Sequence, residues 1–205
     1  MRLSRPVGIV ILVGLGAAGA AAQRLGVGVT GGMPLTAPLT AEPPAFHADR
    51  SRWTAGPSLD VGLAGGFSLR LEALYRRFGY RYEAPESAGP AGEIVRPSVR
   101  RWEFPLLIRY QPGRGRLRPF LSAGVCLNRI AGASELRDGP AELRHRQALG
   151  YVLGGGLEIG SGRVRLAPEL RYTHWGDRNF GVRDTALRSN LDQLDLLASF
   201  RITLW

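Results

Sequence analysis

Between Arg24 and Trp205, eight stretches of alternating apolar and polar residues are separated by gaps that run long, short, long, short, long, short, long. The long gaps are about Pro34–Arg52, Ala84–Pro97, Ala131–Arg146 and Trp175–Asn190; the short ones are Ala64–Gly66, Pro112–Arg116 and Gly160–Gly162. Successive side chains of a strand point to opposite faces, so a period of two marks a strand with two unlike sides. Tight connections can join only antiparallel neighbours. Eight such strands, with tight turns at one end and long loops at the other, predict an all-β fold: an eight-stranded antiparallel up-and-down transmembrane β-barrel.

The alternation can be followed strand by strand. Leu59, Val61 and Leu63 oppose Ser58, Asp60 and Gly62. Leu69, Leu71, Ala73 and Tyr75 oppose Ser68, Arg70, Glu72 and Arg76; after Arg76-Arg77 the apolar set becomes Phe78, Tyr80 and Tyr82, which reads as one inserted residue, a β-bulge. The fourth stretch is the most regular, with Trp102, Phe104, Leu106, Ile108 and Tyr110 against Arg101, Glu103, Pro105, Leu107 and Arg109. The last stretch sets Leu194, Leu196, Ala198, Phe200, Ile202 and Leu204 against Asp195, Ser199, Arg201 and Thr203.

A soluble barrel or sandwich also alternates, and a lipocalin-like binding barrel, with its apolar residues inside around a ligand, is the soluble alternative. Three features favour the membrane, one of them the N-terminal secretory signal described below. The strands are long enough for the roughly 9–11 residues that a tilted spanning strand needs. Aromatic residues also gather toward strand ends: Trp53, Tyr80, Tyr82, Trp102, Tyr110, Tyr172, Trp175 and Trp205, as interfacial girdles require. In a membrane barrel the polar face lines the lumen. The predicted luminal set is then Asp60, Glu72, Glu103, Glu158, Glu169 and Asp195 with Arg70, Arg76, Arg101, Arg109, Arg165, Arg171 and Arg201. The interior of an eight-stranded barrel is just wide enough for side chains to fill it. Near-balanced charge in so narrow a space predicts a plug of Arg–carboxylate pairs; a narrow solute pore is the alternative.

The N-terminus has its own logic. Arg2 and Arg5 precede the apolar run Val7–Leu15, and Ala20-Ala21-Ala22 supplies a small-residue cleavage site, so residues 1–22 read as a cleaved secretory signal and residues 23–205 as the barrel domain. Removing the signal lowers the formal charge from +10 by the two arginines to +8. All of the basic side chains are Arg, and they alternate with apolar residues instead of forming one stripe, which disfavours nucleic acid as a partner. The single Cys126 excludes an intramolecular disulfide and any cysteine-based zinc cluster.

Candidate chemistry is sparse. His47 and His145 fall in long gaps; His174, at a strand end near Asp177 and Ser189, could form a Ser/His/acid arrangement acting on lipid acyl chains, the activity of a lipid A hydrolase or transferase. No local motif ties these residues together, so an enzyme is not the expectation. The run Gly154-Gly155-Gly156 lies inside a strand with no helix after it and so is no phosphate loop. No metal and no cofactor is expected.

The segment Trp102-Glu103-Phe104-Pro105-Leu106-Leu107-Ile108-Arg109-Tyr110, followed by Pro119-Phe120 and Ala123-Gly124, resembles the outer-membrane β-barrel domain family that includes PorT-like proteins, as does Pro168–Gly176. The resemblance spans roughly Arg24–Trp205 and implies an outer-membrane barrel of the bacterial cell envelope with no catalytic residue to carry over. The terminal aromatic of such barrels has its counterpart in Trp205, which is out of phase with Phe200, Ile202 and Leu204. The expected protein is a structural or surface-interaction barrel with both mature termini toward the periplasm. Its expected partners are outer-membrane lipids, the barrel-assembly machinery during insertion, and an extracellular partner bound through the four long loops.

Overall fold

A computed structural model describes residues 24–37, 39–41, 46–49, 53–83, 94–95, 98–113, 115–131, 142–143, 146–177, 180–181 and 187–204; the side chains described are those of 24–37, 53–77, 100–113, 115–131, 146–177 and 190–204. The signal segment 1–22, Trp205, His145 and the side chains of His47, Tyr80, Tyr82 and Ser189 lie outside this set.

Eight strands carry the fold: β1 Leu25–Pro34, β2 Thr54–Gly62, β3 in two segments Phe67–Glu72 and Leu74–Glu83, β4 Ser98–Tyr110, β5 Leu117–Ala131, β6 Gln147–Ser161, β7 Val164–Trp175 and β8 Asp192–Thr203. Each pairs antiparallel with its neighbour in sequence. The first and last then pair with each other, from Gly26 opposite Thr203 to Pro34 opposite Asp195. The result is a closed barrel, which leaves no edge strand open. At the tight end Ser161 pairs with Val164 across Gly162-Arg163; Gly162 has φ +62°, a left-handed conformation that a side chain would oppose. At the other end the long gaps contain short strands of their own. Leu39–Ala41 pairs with Leu187–Ser189, Glu142–Leu143 with Phe180–Gly181, and Phe46–Asp49 and Ile94–Val95 both pair antiparallel with the far end of β3.

The inserted residue expected after Arg77 is not there. Pairing of β3 with β4 runs without a slip from Leu74 opposite Glu103 to Gly79 opposite Ser98. The irregularity in β3 lies earlier, at Ala73, which stands opposite Pro57 of β2. Proline has no N–H to give, so a single bond from the Ala73 N–H to the Pro57 carbonyl (3.1 Å) carries that rung.

The two faces of the wall differ as the alternation requires. Leu71, Ile108, Leu121, Leu153, Leu166 and Phe200 face outward and are exposed. So continuous an apolar band would be anomalous on a protein bathed in water and is what an acyl-chain environment demands. Rings cluster toward its margins: Trp53, Tyr75 and Trp102 at the long-loop end (centroids 5.9 and 5.2 Å apart in sequence) and Phe67 with Tyr110 at the tight-turn end (4.8 Å). Tyr172 also faces outward.

Trp175 corrects the predicted girdle. It is 3% exposed and packs inside the barrel with Leu107, Cys126, Ala148 and Val152. Its parity decides this: it stands two residues after Thr173 and four after Arg171, both of which face inward. Gly150 is directly opposite, and a Cβ there would come within 2.8 Å of the indole. Gly154, on the same strand, leaves space for polar groups; a Cβ would lie 2.5 Å from both the Glu169 carboxylate and the Ser122 hydroxyl. Replacing Gly154 with Val is therefore expected to cost about 1–3 kcal/mol by overpacking, read as a lower denaturant midpoint in lipid vesicles, whereas Gly155→Val, on the outward face, should cost less.

Candidate functional site

The lumen is where the chain concentrates its polar chemistry, and strand parity puts it there. Arg70, Glu72 and Arg76 alternate on β3, Arg101, Glu103 and Arg109 on β4, Glu169 and Arg171 on β7, and each is buried, as are Asp60, Glu158 and Asp195; Arg165 and Arg201 are half-buried. Period two decides which residues point inward. Barrel closure decides which of them meet.

Three groups stack along the axis. Toward the long loops, Arg76 reaches Glu103 (3.4 Å) and Asp195 (2.9 Å), and Arg101 reaches Glu103 (2.5 Å). Gln193, which alternation among charged residues does not reveal, ties this group together. It accepts hydrogen bonds from Arg101 (2.6 Å) and from the Trp175 indole (3.2 Å) and donates to Asp195 (2.7 Å). The Arg101 guanidinium also lies 5.3 Å from the centre of the Trp175 ring. The signal that could have found both Gln193 and Trp175 is simply their in-phase position with Asp195 and Arg171.

In the middle, Arg171 grips Glu169 through two nitrogens (2.9 and 3.2 Å) and Glu72 through a third (2.5 Å). Thr30 donates to Glu72 (2.8 Å) and Ser122 to Glu169 (3.1 Å), so the carboxylates have neutral donors as well as a cation. Arg70 forks onto Asp60 (2.9 and 3.1 Å) and donates to Ser199 (3.1 Å). Two-pronged Arg–carboxylate contacts of this kind give geometric definition as well as attraction.

Toward the tight turns the balance changes. Glu158 alone meets Arg201 (2.5 Å), Arg109 (3.6 Å), Arg165 (3.8 Å) and Arg118. Arg201 also reaches Asp60 (3.1 Å). Elsewhere in the lumen Arg70, Arg76, Arg101 and Arg171 are matched in number by Glu72, Glu103, Glu169 and Asp195, with Arg70 also bridging to Asp60, so the surplus positive charge collects at the tight-turn end.

His174 faces outward at the long-loop end, not into the lumen. Its Nδ1 is 2.8 Å from Asp192, and Tyr172 donates to the same carboxylate at 2.5 Å. Asp192, rather than Asp177, is its acid partner. Thr173 points inward and is buried. Among the described residues no group of three or more His, Cys, Asp or Glu side chains is disposed to hold a metal ion.

The chain matches no protein-family model and no curated protein sequence. Among solved structures it is similar to the Neisserial surface protein A, with a TM-score of 0.53 and 15% identity over 88% of this chain and 97% of that one. Weaker likenesses are to the N-terminal β-barrel domain of Pseudomonas aeruginosa OprF (TM-score 0.48, 14% identity, 87% and 97% covered) and to the outer membrane enzyme PagL (TM-score 0.38, 13% identity, 87% and 98% covered). The protein has the closed eight-stranded antiparallel fold of outer-membrane barrels.

Proposed function

We propose that this protein is a bacterial outer-membrane barrel of structural or surface-interaction role, close in kind to the PorT-like proteins, whose lumen is sealed. The supporting observation is that the axis is crossed at successive levels by buried, mutually bonded side chains. The Gln193–Arg101–Glu103 group and the apolar layer of Leu107, Val152 and Trp175 lie above the Arg171–Glu72–Glu169 group. A path for solutes would have to break several charge-assisted bonds at once, each leaving a charge uncompensated in a confined interior. With conduction set aside, the surface offered to the outside is the set of long loops with their short paired strands, and loops on a rigid scaffold are where binding residues concentrate. Residues 1–22 serve in this reading as the export signal, and the outer apolar band meets the lipids of the outer membrane after insertion by the barrel-assembly machinery.

Planar-bilayer recording tests the seal. The folded protein is expected to give no stable open level beyond brief flickers; long-lived, large openings would replace the sealed barrel with a pore.

A further inference from the structure

A cavity of about 640 Å³ opens at the tight-turn mouth of the barrel. That is the size of an ordinary small-molecule site. Among the described residues five arginines line it, Arg24, Arg118, Arg163, Arg165 and Arg201, against a single carboxylate, Asp60. Asp60 is already engaged by Arg70 and Arg201. Glu158, beneath, is shared among four arginines. Backbone glycines at Gly26, Gly62 and Gly66 line the same space, where side chains would otherwise reduce it.

A second observation comes from deeper in the same end of the barrel. Arg109 is 1% exposed, stands opposite Ser68 of the cavity wall, and meets Glu158 only at 3.6 Å. Its guanidinium carbon lies 3.3 Å from the centre of the Phe120 ring. Among the described residues none of its three nitrogens has a hydrogen-bond partner. Buried guanidinium donors without acceptors are costly and are normally satisfied by an acceptor of some kind. Arg76, at the other end, also has two nitrogens without a hydrogen bond among the described residues, but it faces two carboxylates, Glu103 and Asp195. Surplus positive charge and an open cavity therefore lie at the same end of the lumen as Arg109, the buried guanidinium whose three nitrogens all lack an acceptor.

We infer that this vestibule binds a multiply charged oxyanion of the phosphate-ester class, carried by a water-soluble solute. Several converging guanidinium forks suit tetrahedral phosphate oxygens better than one carboxylate, which a single fork can satisfy. The lining is drawn from strand ends and tight turns, including Gly62, Ser68, Gln111, Gly113, Gly162 and Arg165, and not from the middle of the apolar wall, which favours a solute over a lipid headgroup. Because the sealed layers lie further along the axis, the ligand is bound and held at one face without being passed through. The site stands whether or not the long-loop half conducts.

Isothermal titration of the detergent-folded chain with pyrophosphate, inorganic phosphate and acetate at one ionic strength tests this. One pyrophosphate per chain is expected, bound at least about tenfold more tightly than acetate. The double variant Arg24→Gln/Arg163→Gln, whose side chains sit at the exposed rim, is expected to fold normally and to lose about tenfold or more in affinity. Arg129→Gln, on the outer wall near the long loops, should change nothing. Absence of saturable heat, equal affinity for acetate and pyrophosphate, or an unaffected double variant would each overturn the proposal. Displacement of pyrophosphate by phosphatidylglycerol at micellar concentration would transfer the site to lipid headgroups and overturn the solute assignment.

Discussion

Replacing Arg171 with Leu is expected to lower the unfolding free energy by about 3–5 kcal/mol. The substitution removes three hydrogen bonds at once and leaves Glu72 and Glu169 facing each other in the middle of the lumen without their shared cation. The attraction within such a pair is partly offset by the cost of desolvating both partners, but deleting one partner leaves the desolvation of the other unopposed. Thr30, Ser122 and the more distant Arg70 (3.8 Å) remain, and they offset part of the loss. Urea titration of the protein in lipid vesicles, followed by the shift of its heat-modifiable gel band, measures the change. Arg165→Leu is the contrast: that side chain is half-buried and sits where positive charge is in surplus, so its loss should cost little or nothing. A variant Arg171→Leu within 1 kcal/mol of the parent would mean that water reaches and screens the central group, and the sealed lumen would fall with it.

Leu153→Arg should be nearly as damaging, by about 2–4 kcal/mol, and for the opposite reason. Leu153 is 59% exposed, near the middle of β6, on the face that looks away from the lumen. In water an exposed leucine on a strand can become arginine at a cost within about 0.5 kcal/mol, because the new charge is solvated. At the midplane of a bilayer it has no such solvation, and the cost depends on depth. The same substitution at Leu117, at the tight-turn end of β5 and 60% exposed, should therefore cost only about 0–1 kcal/mol. Parallel unfolding titrations of the two variants in vesicles distinguish the environments; equal and small effects would point to an aqueous outer surface and put the soluble barrel in place of the membrane one.

Particular residues explain what could be read in the chain beforehand and what could not. The inward assignment of Arg101, Glu103 and Arg109 followed from alternation with Trp102, Phe104 and Ile108, because pleating forces neighbours to opposite sides. Residue type and a place at a strand end suggest the girdle for Trp175, but parity overrides both; it is luminal because Thr173 and Arg171 are. After Arg77 the hydrophobic pattern changes without a change of register, so no bulge forms there and backbone pairing with β4 continues. Sequence proximity points to Asp177 as the acid beside His174, whereas strand pairing supplies Asp192 from the neighbouring strand.

Period-two alternation and the rhythm of long and short gaps by themselves determined the strand count, the antiparallel order and the side of the wall on which most charges stand, since all three depend on local geometry. Tertiary structure alone decided the pairings. Arg171 finds Glu72 across 99 residues and Arg201 finds Glu158 across 43, and such meetings depend on how strands are staggered when the sheet closes on itself. The same closure gathered the surplus arginines at one mouth of the barrel, because it sets the height of each side chain along a common axis, a coordinate that no stretch of sequence contains.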